Sequence, residues 1–297
     1  MSFINRSIFL LSISVPVFIL AVCLSAAAQT PSPTPVASPT PTLEHEFFRS
    51  VLRDQKAIWS SPFHLHERDG RWLAPLGLGT AALMTTDRMT GDEMAEFDDQ
   101  LNASRIVSYA GSTYGVGAVV GTFYLAGRVG RNDRAKETGL LSAEALVDSL
   151  IDVNVLKEIS QRARPRAGRE RSEFFEGGTS FPSGHAIQAW SVATVIAHEY
   201  RDRPAVQIAA YGIASAVSVA RFTGRRHYLS DVLVGSALGY GIGKYVYRAH
   251  HRTSSASGDG NEEEEVSSES QPKRSLSVVP VYSRMAHAYG VAATWSF

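Results

Sequence analysis

FPSGHAIQAWSVATVIA, residues 181–197, decides how the chain is read. A Pro-Ser-Gly step precedes apolar residues that recur at helical spacing, so a helix is predicted to run over roughly 185–201. Ser183 and Gly184 at its start offer a hydroxyl and free backbone N–H groups. Together with the helix dipole these make an anion cradle, and His185 in the first turn faces whatever the cradle holds. The plain alternative is a Ser-capped helix with an incidental His.

Outward from this stretch, Leu43 to about His251 shows the same long apolar runs with many small residues and little strand-like alternation. One all-α domain, a compact helical bundle over 43–251, is predicted. Its helices fall at roughly 44–58, 73–87, 91–101, 106–127, 138–161, 185–201, 204–221 and 228–250. Arg162-Ala163-Arg164-Pro165 is read as a helix stop, because a proline disfavours helical geometry in the residue before it. Ile106 to Gly127 carries no charged side chain, but its Gly, Ser, Thr and Tyr lower its transfer energy. Elsewhere Glu144, Asp148 and Asp152, then His198 and Glu199, then Asp231 interrupt the apolar runs. A mostly water-soluble bundle is favoured, with membrane association as the alternative.

The flanks differ in composition. Residues 1–28 read as an export signal: Arg6, an apolar run from Ile8 to Leu24, then small residues up to Ala28. Cleavage there ranks above lipidation at Cys23 or an uncleaved anchor, and it implies an exported, periplasmic or extracytoplasmic protein. Residues 29–42 form a Pro-rich linker. The acidic segment 252–274 is too poor in apolar residues to fold. Alternation in SLSVVPVY and AYGVAATWSF predicts a β-hairpin over 275–297.

Composition excludes several activities. With 29 Lys+Arg against 29 Asp+Glu the formal net charge is zero, and mean hydropathy is −0.07. Nucleic acid is therefore not expected as a partner, and an anion site must be local. Cys23 is the single cysteine and sits in the export signal, which removes thiol chemistry from the mature chain.

Two further segments complete the chemistry. Lys157 is expected on the last turn of a helix, with Arg164 just past its end, placing an ammonium and a guanidinium near one cavity. Complementing the helix dipole is the ordinary role for such a pair. Near 221–231, a helix starting at about His227 would put Asp231 four residues on and over the same face. Asp231 would then fix the imidazole tautomer, leaving the other nitrogen of His227 unprotonated for attack or base work. Lys157, Arg164 and Arg221 would neutralise a tetrahedral oxyanion, as phosphoryl transfer requires.

The series K-x6-RP, PSGH and R-x5-H-x3-D over residues 157–231 resembles the type 2 phosphatidic acid phosphatase superfamily, which includes class A acid phosphatases, lipid phosphate phosphatases and vanadium haloperoxidases. The resemblance implies that His227 attacks phosphorus to form a phosphohistidine, with Asp231 orienting it. His185 would protonate the leaving alkoxide and later activate water. Lys157, Arg164, Ser183, Gly184 and Arg221 would hold the phosphate oxygens. One departure is Ala220, where the family commonly carries Ser before the third-motif Arg.

The implied activity is a metal-independent phosphatase acting on phosphate monoesters, lipid phosphates or pyrophosphates, with no cofactor. A vanadate-dependent haloperoxidase and a non-catalytic phosphate- or lipid-binding protein are the alternatives. His64-Leu65-His66 and His250-His251 read as surface pairs rather than ligands. Arg225 and Arg226, with Arg166, Arg169 and Arg171, read as steering charges or as a solvated loop. Glu144, Asp148 and Asp152 read as a stripe packed against basic neighbours. Substrate identity and oligomeric state are not encoded in these patterns.

Overall fold

The computed structural model describes residues 43–93, 98–165, 172–256, 275–283 and 288–296. The export signal, the linker and nearly all of the acidic segment lie outside these residues, as do Arg166, Arg169 and Arg171. Contacts divide the chain into two compact units, one ending at Ser257 and one beginning at Gly258.

The first unit contains α1 (Leu43–Ser60), a short 3-10 turn (Ser61–Phe63), α2 (Glu67–Glu93), α3 (Asp98–Ala110), α4 (Thr113–Val129), α5 (Asp133–Ser160), α6 (Gly184–Glu199), α7 (Pro204–Thr223) and α8 (Leu229–Ala256). Helix α6 is its axis, buried along most of its length and packed against α4, α5, α7 and α8. Val116, Val120 and Phe123 of α4 meet Leu146 of α5 and Val192 and Ile196 of α6 on one side. Leu141 and Ala145 of α5, Ile187 and Val195 of α6, and Ile242 and Val246 of α8 fill the other. Each such side chain contributes about 1.5–3 kcal/mol by leaving water.

Small residues set how closely these helices approach. Gly235, Gly239 and Gly243 recur at four-residue spacing and so lie on one face of α8. A Cβ there would stand 2.8 Å from the Ser183 carbonyl oxygen, 2.3 Å from that of Ile187 and 2.3 Å from that of Ser191. Nothing larger than glycine fits without moving backbone. The contact order shows that α6 and α8 run parallel, so their positive N-terminal ends lie side by side.

Four helix boundaries differ from the sequence expectations. Helix α2 is continuous from Glu67 to Glu93, across the gap expected between 87 and 91. Its acidic first turn, Glu67 and Asp69, complements the dipole, and Asp69 Oδ2 accepts from the His66 backbone N–H at 2.8 Å. The uncharged run 106–127 is two helices: Ser112 caps α4 by accepting from the Gly115 N–H at 3.1 Å, and Gly111 lets the chain pass against Val217. Helix α5 stops at Ser160 because Gln161 adopts the left-handed region (φ 43°), so Arg162–Pro165 lies beyond the stop. Helix α8 continues to Ala256, past the expected end of the domain.

In the second unit, β1 (Ser275–Ser283) and β2 (Ala288–Ser296) pair antiparallel, from Ser275 opposite Ser296 to Ser283 opposite Ala288. Among the described residues, α7 alone is long and apolar enough to cross a membrane, and 28% of that window is buried.

Candidate active site

The close pairing of α6 and α8 brings the three sequence segments to one place. Lys157 lies on the last turn of α5, and a Cβ on Gly184 would come within 3.3 Å of its ammonium nitrogen. Arg164 follows that helix, while Arg221 sits on the last turn of α7. Ser183 caps α6 with no side-chain bond of its own to the helix. Helix geometry leaves the first N–H groups of α6 without intrahelical acceptors.

The donors gathered here exceed the acceptors. Ser183 Oγ, Arg164 Nε and Arg221 Nε are buried with no hydrogen-bond partner. Buried donors left unmatched cost about 1–3 kcal/mol each, so this cluster is built for an anion. A cavity of about 570 Å³ opens onto it, bounded by His185, Arg221, Arg226 and, from α3, Ser104, Arg105 and Tyr109.

Mutual electrostatics place the two imidazoles with the cations. Burial, followed by Arg221, His227, Lys157 and Arg164, pushes His185 down to about 3. Burial, followed by Arg164 and Arg221, lowers Lys157. Burial, with Arg164 and Arg226 adding to it, brings Arg221 down to about 10. His227 is buried and lowered by that burial despite Asp231 nearby, so its imidazole is held neutral.

The anchoring of His227 corrects the expected geometry. His227 precedes α8 rather than starting it, and its Nδ1 lies 2.7 Å from the Ser180 carbonyl oxygen. Asp231 Oδ2 is 3.7 Å from the same nitrogen, an ion-pair distance and too long for a hydrogen bond. The carbonyl can only accept, so Nδ1 carries the proton and Nε2 the lone pair.

Asp231 instead ties the segments together. Its Oδ1 receives Arg162 at 2.5 Å, its Oδ2 receives the Ser180 hydroxyl at 2.5 Å and the Tyr228 N–H at 3.0 Å, and its carbonyl oxygen receives the Ser183 N–H at 3.0 Å. Burial raises this carboxyl, but His227, Arg162 and Ser180 together overcome that and hold it below the usual carboxylate range. Arg162 also reaches Ser230 Oγ at 2.7 Å and Asp87 Oδ2 at 2.8 Å, and its guanidinium lies 4.5 Å from the Tyr228 ring centre.

Arg162, Asp87, Ser180 and Ser230 were not legible as site residues. Arg162 looks like one more cation before a proline, and Asp87 lies far away in sequence on α2. The only available signal was Asp231 itself, a buried carboxylate that needs more than one partner.

One reading of the remaining groups is overturned and another is met in part. His250 is buried, whereas His64 and His66 are exposed. Glu144, Asp148 and Asp152 are buried too: Glu144 packs against the basic neighbour His250, while Asp148 accepts from the neutral Gln55.

Comparison with known proteins adds the following. The PAP2 superfamily model matches residues 138–255. Lipid A 1-phosphatase of Porphyromonas gingivalis is 34% identical over 122 residues, 40% of this chain but only 26% of that relative's length. Two solved structures are similar at 21% identity: LpxE of Aquifex aeolicus (TM-score 0.43, covering 55% of this chain and 93% of that one) and a transmembrane PAP2 type phosphatidylglycerolphosphate phosphatase from Bacillus subtilis (TM-score 0.40, covering 70% and 95%).

Proposed function

We propose, on the premise that the chain belongs to the PAP2 superfamily through residues 138–255, that it is a phosphoric ester hydrolase acting on lipid phosphates, pyrophosphates or smaller monoesters through a phosphohistidine. The observation that carries this reading is the set of buried donors without acceptors, Ser183 Oγ, Arg164 Nε and Arg221 Nε, beside two neutral imidazoles.

A phosphate entering the cavity supplies those acceptors. Its oxygens take Lys157, Arg164, Arg221, the Ser183 hydroxyl and the N–H groups from Gly184 onward, with two helix N-termini adding their positive ends. His227 Nε2 attacks phosphorus and the bond to the leaving oxygen breaks. The imidazolium of His185 gives its proton to that oxygen. In the second half His185 takes a proton from water, the water oxygen bonds phosphorus, and the bond to Nε2 breaks to release phosphate. All charge is handled by this chain's own cations.

Bound phosphate also prepares His185. Its low proton affinity comes from burial and from cations that the anion neutralises, so substrate arrival favours the imidazolium needed for catalysis. The exported location and lipid class belong to the same proposal. Ile208, Ile213 and Val219 expose apolar surface along α7, which suits an enzyme working beside a lipid surface.

Purified protein should hydrolyse a chromogenic phosphate monoester and phosphatidic acid in EDTA, with inhibition by vanadate. His227→Ala should lower kcat by roughly four orders of magnitude or more while circular dichroism stays unchanged. A folded His227→Ala protein with near-normal turnover removes the nucleophile assignment. Bromide oxidation by peroxide with added vanadate, in place of hydrolysis, would give the haloperoxidase reading instead.

A further inference from the structure

About 19 Å along α5 from Lys157, at a rise of 1.5 Å per residue, lies a second concentration of buried charge that the reaction does not use. Asp54 of α1, Glu144 of α5 and His250 of α8 each offer one ligand atom, and these atoms all lie within 4.8 Å of one another. His250 Nε2 stands 3.0 Å from Asp54 Oδ2 and 3.5 Å from Glu144 Oε2. The three residues are 2%, 1% and 7% exposed.

One proton on that nitrogen serves one carboxylate. It is used on Asp54, and both oxygens of Glu144 are left buried with no hydrogen-bond partner. One turn along α5, fully buried Asp148 repeats the deficit: Oδ1 accepts from Gln55 Nε2 at 3.0 Å, while Oδ2 has no partner. Asp152 of α5 lies beside Asp148, Tyr245 of α8 lies beside Asp54, and Arg53, whose guanidinium is exposed and bonded to Glu46 and Ser50, acts on Glu144 from outside the cluster. Among the described residues, His250 is the one cationic partner within the cluster and is shared between Asp54 and Glu144, so buried carboxylates outnumber the positive charge beside them, which favours a cation from outside the chain.

We propose that Asp54, Glu144 and His250 form a binding site for one divalent cation of the zinc class, which joins α1 to α5 and α8. The donor set selects the cation. An imidazole with two carboxylates suits Zn²⁺, whereas Mg²⁺ and Ca²⁺ prefer oxygen alone. Two carboxylates and a neutral imidazole carry a charge of −2, which the ion cancels. Asp148, one turn along α5, adds negative charge beside the set. The site is structural: it lies far along α5 and α8 from the phosphate cradle and adds nothing to the reaction there.

The test uses tag-free, chelator-stripped full-length protein titrated calorimetrically with ZnCl₂, alongside His250→Ala, Glu144→Gln and the catalytic variant His227→Ala. One equivalent should bind to the wild type and to His227→Ala, and at least tenfold more weakly to the other two. At a hundredfold excess over Kd, Zn²⁺ should raise Tm by roughly 5 °C in the wild type. Equal concentrations of Mg²⁺ or Ca²⁺ should leave Tm unmoved. Glu144→Gln keeps the side chain's shape and carries the test if His250→Ala does not fold. Absence of saturable binding, an unmoved Tm, an equal response to Mg²⁺, or loss of binding in His227→Ala would each overturn the proposal. Because the readouts are heat and unfolding, loss of phosphatase activity alone would leave this inference standing.

Discussion

Helices α5 and α8 pass each other in opposite directions, and each end of their contact holds buried charge. At the end carrying Lys157 and Asp231, every oxygen of the aspartate meets a donor, and Arg162 spans from Asp231 to Asp87. At the end carrying Glu144 and His250, both oxygens of Glu144 and one of Asp148 are buried without a hydrogen-bond donor, with His250 3.5 Å from Glu144 and bonded to Asp54 instead. The first end has unmatched donors facing a cavity and the second has unmatched acceptors facing one another. Unmatched groups of one sign, held together by otherwise complete packing, mark where a partner of the opposite sign belongs. By that logic one end takes an oxyanion and the other a cation.

Mutations should therefore act in opposite directions at the two ends. The largest effect is expected for Arg162→Ala, which strands Asp231 and Asp87 without their shared cation. We expect a loss of about 3–5 kcal/mol in urea unfolding, and a loss below roughly 1 kcal/mol would break the contrast. Glu144→Gln in chelator-treated protein should do the reverse. Replacing an unpartnered buried carboxylate with a neutral isostere should leave stability equal or raise it by about 1 kcal/mol. A clear destabilisation there would mean that Glu144 has a donor of its own.

The smallest effect concerns protons. Free His185, pushed down to about 3, is unprotonated near neutral pH, and an anion in the cradle raises it. Binding of sulfate, which does not titrate in this range, should therefore take up a fraction of a proton, and affinity should rise as pH falls from about 7 to 5. The buffer-dependent part of the binding enthalpy reads this uptake, and His185→Ala should remove it.

The two ends also differ in how far they could be foreseen. Lys157, Arg164, Ser183, His185, Arg221, His227 and Asp231 fall in short segments with recognisable spacing, so residue types alone suggest an oxyanion site. The eight helices followed from apolar periodicity, with errors where a single residue decides a boundary. The chain stayed helical across the gap expected between 87 and 91, Gly111 and Ser112 divided an uncharged run, and Gln161 turned left-handed before the proline was reached. The Asp54, Glu144 and His250 cluster was invisible for a different reason. Its members come from three helices and no two are within one helical turn, so only the tertiary contact of α1, α5 and α8 assembles them. The role of Ser180 was hidden similarly, since a backbone carbonyl has no sequence signature.

The glycine face of α8 has a mechanical corollary. With Gly235, Gly239 and Gly243 seated on the carbonyls of Ser183, Ile187 and Ser191, α8 cannot slide along α6, since even a four-residue jump of about 6 Å would bring Asp231 or Tyr247 onto one of those carbonyls. Any smaller displacement would drive a bulkier neighbour into main chain. The pair is thus locked in register, and on the proposed reading the groups held at its N-terminal ends keep their spacing through turnover. On the same reading, adjustment to differently sized substrates would fall to the α3 wall, where Ser104, Arg105 and Tyr109 border the opening, with substrate preference drifting there while the proposed reaction centre stays put.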